Sequence, residues 1–293
     1  MRKLLALTLL FTGGAFANPA DPTSEGLRFT QIKTGAAVTL EALTYAGGAF
    51  TRTKHLTHTA VLVEHPQGRF LFDTGLGRDI DAQFGTDMPW YLKPLFAYQQ
   101  AHPAADQLRE ANIAAPERIF LSHVHWDHAS ALMDFADAEV WLPTPEADFL
   151  KVAEPPAVLP SQVSSPAIRW HRYAFQARPH LGFEHSLDLF DDGSAVLVPL
   201  FGHSPGSVGL FLKTAAGRHV FFIGDVVWNA DALQARAGKF MVASHLVDND
   251  REQTLATVRQ VATLQQTLPD LIVIPAHDLA VQERLGMFPI WVE

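Results

Sequence analysis

Residues 117–130 read ERIFLSHVHWDHAS, and they decide the fold. An apolar run of strand length, Ile119-Phe120-Leu121, runs directly into His123, His125, Asp127 and His128. In extended backbone, residues two apart point to the same side, so His123 and His125 present their imidazoles to one point. A helix is expected from about Asp127, which turns Asp127 and His128 toward a neighbouring point. A buried strand that ends in a polar cluster and then a helix belongs to a layered protein of strands and helices.

The flanking sequence repeats this pattern. Upstream, HTAVLVEHPQGRFLFDTG (58–75) is a hairpin signature around Pro66-Gln67-Gly68 that ends at Asp73, and LRFTQIKTG (27–35) and AVTLEALTY (37–45) read as strands. A short helix is expected near 104–113. Downstream, residues 194–229 hold three successive strands, with turns at His-Ser-Pro-Gly and Ala-Ala-Gly. Asp250 and Gln253 form a capping box for a helix with the apolar stripe Leu255, Val258, Val261, Leu264 and Leu268, and LIVIPAHD (271–278) gives a last strand. The expected class is α/β (α+β), two sheets packed together with helices outside. Residues 76–105 are irregular and carry Phe84, Met88, Trp90, Tyr91, Phe96 and Tyr98. Two readings stand for them: a lid giving an apolar wall to a site, or an insertion packed on the core.

Composition narrows the chemistry. Fourteen histidines and no cysteine exclude disulfides, thiolate zinc sites, iron–sulfur clusters and cysteine nucleophiles, so any metal is held by imidazole and carboxylate. Arg2 and Lys3, the apolar run from Leu4 and the ending Ala15-Phe16-Ala17 read as a cleaved signal peptide over residues 1–17. That leaves one domain over 18–293, periplasmic or secreted, with no membrane anchor. The net charge of −9, with no run of Lys or Arg, argues against a nucleic-acid partner.

Three more polar residues close apolar strands: His203 in GHSPG, Asp225 in FFIGD and His277 in VIPAHD. Singly, such residues are usually a hydrogen-bonded core histidine or a helix cap. With the first four they make seven, enough for three ligands to each of two ions and one shared carboxylate, with a position left for water.

In order and spacing, HVHWDH, GHSPG, the FIGD aspartate and the AHD histidine resemble the metallo-β-lactamase superfamily, and most nearly its N-acyl homoserine lactonases. The lactonase likeness rests on the GHSPG turn and the tail IPAHDLAVQERLGMFP. The resemblance implies an αββα sandwich with helices on the outer faces of two mixed sheets. It puts His123, His125 and His203 on a first metal, Asp127, His128 and His277 on a second, Asp225 between them, and Asp73 behind a ligand histidine. It implies two divalent ions, zinc by default with iron, manganese or cobalt as alternatives. The implied reaction is attack of a metal-bridging hydroxide on a lactone or related ester with an apolar substituent, with Asp127 passing the proton onward. Aryl ester or phosphotriester hydrolysis is an alternative. A β-lactamase fits less well, because its usual subclasses have Cys or Ser at the position of Asp225. One departure bears on mechanism: the lactonase tyrosine three residues after the bridging aspartate is Trp228 here, either a carbonyl donor or a pocket wall. Trp126, between the ligands, is expected only to pack.

Overall fold

In the computed structural model, which describes residues 26–293, the chain forms two mixed sheets. The signal-peptide reading of residues 1–17 lies outside the described residues. The first sheet runs, edge to edge, β1 (Arg28–Leu40), β2 (Thr53–His65), β3 (Gly68–Phe72), β4 (Arg118–Phe120), β5 (Glu139–Pro143) and β6 (Arg169–Tyr173). Its first three strands are antiparallel and the rest parallel. The second runs β11 (Ile272–Ile274), β10 (His219–Phe222), β9 (Val208–Lys213), β8 (Ala195–Pro199) and β7 (Leu187–Asp188), parallel only between β10 and β11.

Period-two alternation sets the layers. Val61, Val63, Phe70, Phe72 and Phe120 from the first sheet meet Leu197, Leu210, Leu212, Val220 and Phe222 from the second in one core. The intervening Ala60, Leu62, Leu71 and Ile119 face the other way and pack under Leu108, Leu132, Phe135 and Ala147. On the second sheet, Phe211 and Phe221 stack with ring centroids 3.7 Å apart and are covered by Val258 and Val261 of the helix Arg251–Thr267. Helix, sheet, sheet, helix is thus the order of layers. The Arg251–Thr267 helix starts where expected, with the Asp250 carboxylate accepting from the Gln253 N–H at 2.9 Å.

The expected hairpin closes with His65 opposite Gly68. The reading of 37–45 as a strand is half wrong: Ala37–Leu40 continues β1, but Glu41–Thr44 turns into a short helix. There the Glu41 carboxylate accepts from Ala49 N–H and Arg52, closing a loop that alternation alone does not reveal. The two readings of 76–105 divide along the segment. Phe84 and Met88 lie in a small core with Leu76, Ile80 and Trp126, Trp90 and Tyr91 are exposed, and Pro94–Ala97 reach a cavity.

Two irregularities of register place the site. The β1–β2 ladder shifts between Lys33 and Gly35, leaving Thr34 outside the pairing. Thr34 Oγ1 donates to the His58 carbonyl and accepts from Leu76 N–H, both at 2.9 Å. In addition, β2 pairs with β3 only from Val61 onward, so its first half overhangs the end of β3. That overhang carries Thr57 and His58 across to the last loop of the second sheet, where Thr57 N–H donates to the His277 carbonyl at 3.3 Å. No helix among the described residues is long and apolar enough to cross a membrane.

Candidate metal centre

Strand ends from both sheets meet here. Asp73 ends β3, His123 to His128 follow β4, His203 lies between β8 and β9, Asp225 follows β10 and His277 follows β11. Two glycines shape the GHSPG loop. Gly202 has φ +129, and a Cβ there would run into the backbone of Thr254; a Cβ on Gly206 would run into that of Glu146. Glu146 is itself fully buried. Its carboxylate accepts from Val124 N–H (2.8 Å), between His123 and His125, and from Ser204 Oγ–H (2.6 Å) and Gly206 N–H (2.9 Å), just past His203. One carboxylate therefore ties together the two loops that carry these three histidines. Burial pushes it up to about 7, against the lowering by its three donors.

The hydrogen-bond network assigns the tautomers. The Nδ1 of His277 lies 2.6 Å from the Thr57 carbonyl, which only accepts, so the proton is on Nδ1. His128 Nδ1 donates to Asp73 Oδ2 and His203 Nδ1 to Asp248 Oδ1, both at 2.8 Å. The Ser122 hydroxyl gives its proton to Asp73 Oδ2 at 2.8 Å and accepts from His123 Nδ1 at 2.9 Å. Asp73, held at φ 60, also accepts Ser122 N–H at 2.7 Å. In all four rings the Nε2 lone pair is left pointing inward.

Those lone pairs face one another or face carboxylate oxygens. His123 Nε2 and His203 Nε2 are 3.1 Å apart. His277 Nε2 is 3.1 Å from Asp225 Oδ1 and 3.4 Å from Asp127 Oδ2, and His128 Nε2 is 3.3 Å from Asp225 Oδ1. His128 Nε2 and Asp225 Oδ1 are buried with no hydrogen-bond partner. His123 Nε2 and His203 Nε2 meet as acceptor against acceptor, which repels in a buried space unless a cation lies between them, while at His128 and His277 the carboxylates draw a proton into the same place when no cation is there. Donor atoms about 3.0–3.5 Å apart are also what ions with bonds of about 2.0–2.2 Å collect. The residues therefore fit divalent cations.

Charge is distributed unevenly. Burial and the neighbouring imidazoles hold His123 and His125 well below the usual histidine range, and burial with Lys239 lowers His203. Around His128 and His277 burial is outweighed by carboxylates, Asp73, Asp127 and Asp225 for the first and Asp225 and Asp127 for the second, and both are raised. Burial opposes the ionisation of Asp225, but His277 and His128 hold it well below the usual carboxylate range.

Ligand-capable atoms gather as three trios: His123, His125 and His203; His123, His128 and Asp225; and His58, Asp127 and His277. The seven residues singled out from sequence are all in this cluster, and His58 joins it unannounced. Three supporting groups were also missed: Glu146, Asp248 and Lys239, whose Nζ donates to Asp248 Oδ1 at 2.8 Å and to the Asp225 carbonyl at 2.5 Å. Trp228 was open to two roles, carbonyl donor or pocket wall. Its single N–H donates to Asp225 Oδ2 at 2.8 Å, so it is not a free donor toward a substrate carbonyl; it braces the central carboxylate and walls the cavity. Trp126 packs against His58, Phe84 and Tyr98.

A cavity of about 360 Å³ opens onto His58, His125, Asp127, His203, Asp225 and His277. Its other walls are mostly apolar, including Val38, Leu56, Leu95, Phe96, Phe240 and Leu246.

The fold is similar to that of an N-acyl homoserine lactone hydrolase solved with N-hexanoyl-L-homoserine bound: TM-score 0.70, 15% identity, 90% of this chain and 98% of that one. A second likeness is to AidC, a dizinc quorum-quenching lactonase: TM-score 0.62, 16% identity, 86% and 87% of the two chains. By sequence, the chain is 26% identical over 241 residues to a protein of Mycobacterium tuberculosis named "Probable metallo-hydrolase", covering 74% of this chain and 73% of that one. The model of the metallo-beta-lactamase superfamily matches residues 54–277. From strand β2 to His277, the chain belongs to the metallo-beta-lactamase superfamily.

Proposed function

We propose that this protein is a metal-dependent hydrolase that holds two divalent cations and cleaves a lactone or related ester with an apolar substituent. The observation that carries the reading is the convergence of imidazole nitrogens and carboxylate oxygens, with His123, His128, His203 and His277 already committed through Nδ1. His123, His125 and His203 would hold one cation, Asp127, His128 and His277 the other, with Asp225 shared. When bound, such a pair lowers the pKa of water toward neutrality and polarises an ester carbonyl.

The chain's own groups supply the rest. Asp73, Asp248, Ser122 and the Thr57 carbonyl fix the orientation of the ligand rings before anything binds. The apolar walls exclude water and accept the substituent of the substrate. Asp127, with its side chain only 12% exposed and at the floor of the cavity, is placed to accept a proton and relay it to the leaving oxygen. The lactonase names of the structural neighbours support the ester class, and the absence of Cys or Ser at Asp225 disfavours a β-lactamase. The signal-peptide signature supports a periplasmic or secreted site of action, which N-terminal sequencing of the mature protein tests.

Metal analysis of the purified protein, with hydrolysis assays on acyl homoserine lactones, simple lactones, aryl esters, a phosphotriester and a cephalosporin, tests the whole reading. Two cations per chain and preferential lactone turnover are expected. Fewer than two, or turnover that survives Asp225→Ala and His128→Ala, overturns it.

A further inference from the structure

His58 is buried, lies on the overhang of β2 and lines the cavity, yet nothing in its local sequence distinguishes it. Its Nδ1 is 3.2 Å from Asp127 Oδ2, and its Nε2 is buried without a partner. One explanation is a hydrogen bond that orients Asp127. The protein contains its own standard for such bonds. Its imidazole–carboxylate pairs that do orient a ring, His128–Asp73 and His203–Asp248, are both 2.8 Å, and the peripheral His65–Asp192 is 2.9 Å. These are charge-assisted lengths. The His58–Asp127 distance falls instead among the pairs in which two ligand atoms face one cation position, 3.1 to 3.4 Å.

The neighbours agree. His277 Nε2 stands 3.4 Å from the same Asp127 Oδ2, so His58, Asp127 and His277 bring three ligand-capable atoms to within 4.8 Å of one another. The ring is fixed before any ligand arrives. It meets the His277 ring edge-on with centroids 5.3 Å apart, rests on Trp126, and its carbonyl is held by Thr34 Oγ1. From this geometry we infer that His58 Nδ1 is an additional ligand of the second cation. The inference rests on the two-cation reading above. It adds His58 to Asp127 and His277, whose ligand atoms lie within 4.8 Å of one another. Beside His128, Asp225 and the water of the proposed reaction, this raises the donor number above four, which suits cations that accept five or six donors.

Cobalt(II) titration of the metal-free protein tests this, because cobalt absorbs several times more strongly in a four-donor field than in a five- or six-donor one. In the wild type, the second equivalent is expected to add only weak visible absorption. In His58→Ala it should add a stronger band and bind more than about 100-fold more weakly by chelator competition, beyond the roughly 10–100-fold of a merely supporting partner. His58→Asn returns a hydrogen-bond donor near the Nδ1 position, and it should not restore the wild-type spectrum. Proton NMR of the dicobalt wild type supplies a readout that needs no variant: a hyperfine-shifted imidazole N–H assigned to His58 is expected. Identical second-equivalent spectra in all three proteins, rescue by His58→Asn, or no shifted His58 resonance overturns the inference and leaves the two-cation reading standing. A wild type that takes up fewer than two cobalt ions overturns the two-cation reading itself.

Discussion

Replacing Glu146 with alanine should loosen the site without touching a ligand. The substitution strands the buried N–H groups of Val124 and Gly206 behind a fully buried side chain, whereas Ser204 can turn its hydroxyl to Ser207 Oγ, 2.8 Å away. Two buried backbone donors left unpaired cost about 1–3 kcal/mol each, so the variant should lose about 2–6 kcal/mol. Urea denaturation of the metal-free protein is the right assay, because a bound cation adds its own linkage to native stability. The pH dependence provides a second readout. The Glu146 carboxyl is raised from 4.5 to about 7 on folding, so its contribution is whole below 4.5 and is lost as pH rises through 7. The gap between wild type and variant should therefore be wider at about pH 5 than at about pH 8. Glu146→Gln, which keeps the shape and one acceptor, should fall between them. A loss under about 1 kcal/mol that is equal at both pH values would refute the clamp.

Other perturbations probe the supports of the site one at a time. Asp73→Asn weakens the acceptor of His128 Nδ1–H and should reduce cation affinity by about 10–100-fold in chelator competition; affinity within twofold of wild type contradicts the role given to Asp73. Lys239→Met strips the ammonium from Asp248 and leaves that carboxylate only His203 Nδ1–H and Ser244 Oγ–H, in a pair whose side chains are 0% and 1% exposed, and should cost about 3–5 kcal/mol in unfolding experiments. If the variant melts like wild type, the pair is not what holds this side of His203. Trp228→Phe keeps the wall but deletes the N–H to Asp225, so metal-free stability should fall by about 1.5–3 kcal/mol while preference for apolar substituents persists. Loss of that preference with unchanged stability would reverse the assignment.

The layers and the ligand-bearing loops were legible because each rests on a local pattern. Alternation divides Phe70 and Phe72 from Leu71, and the polar residues closing β4, β10 and β11 interrupt apolar runs. The supports were hidden for the opposite reason. Glu146 sits in the first turn of a short helix, where an acidic residue is ordinary, and its three donors come from segments about 20 and 60 residues away. Asp248 stands beside Asp250, whose capping pattern accounts for the acidity of that stretch. His58 lies among Thr57, Thr59 and Ala60 with no motif, and its approach to Asp127 depends on how far β2 outruns β3, a register that no single strand encodes. For Trp228 the sequence left donor and wall both open, since the direction of its N–H depends on Asp225.

The unpaired Thr34 in β1 gives the site a phase. In a strand, inserting or removing one residue exchanges its two faces, so the irregularity between Lys33 and Gly35 decides which residues of β1 point inward on either side of it. His58 lies opposite Gly35, just past the irregularity, and Thr34 holds its carbonyl. Deleting Thr34 would remove no group that lines the cavity, yet it would put β1 out of step with the strand that presents His58. The first strand of the fold thus acts as a timing element for chemistry whose other residues run from His123 to His277.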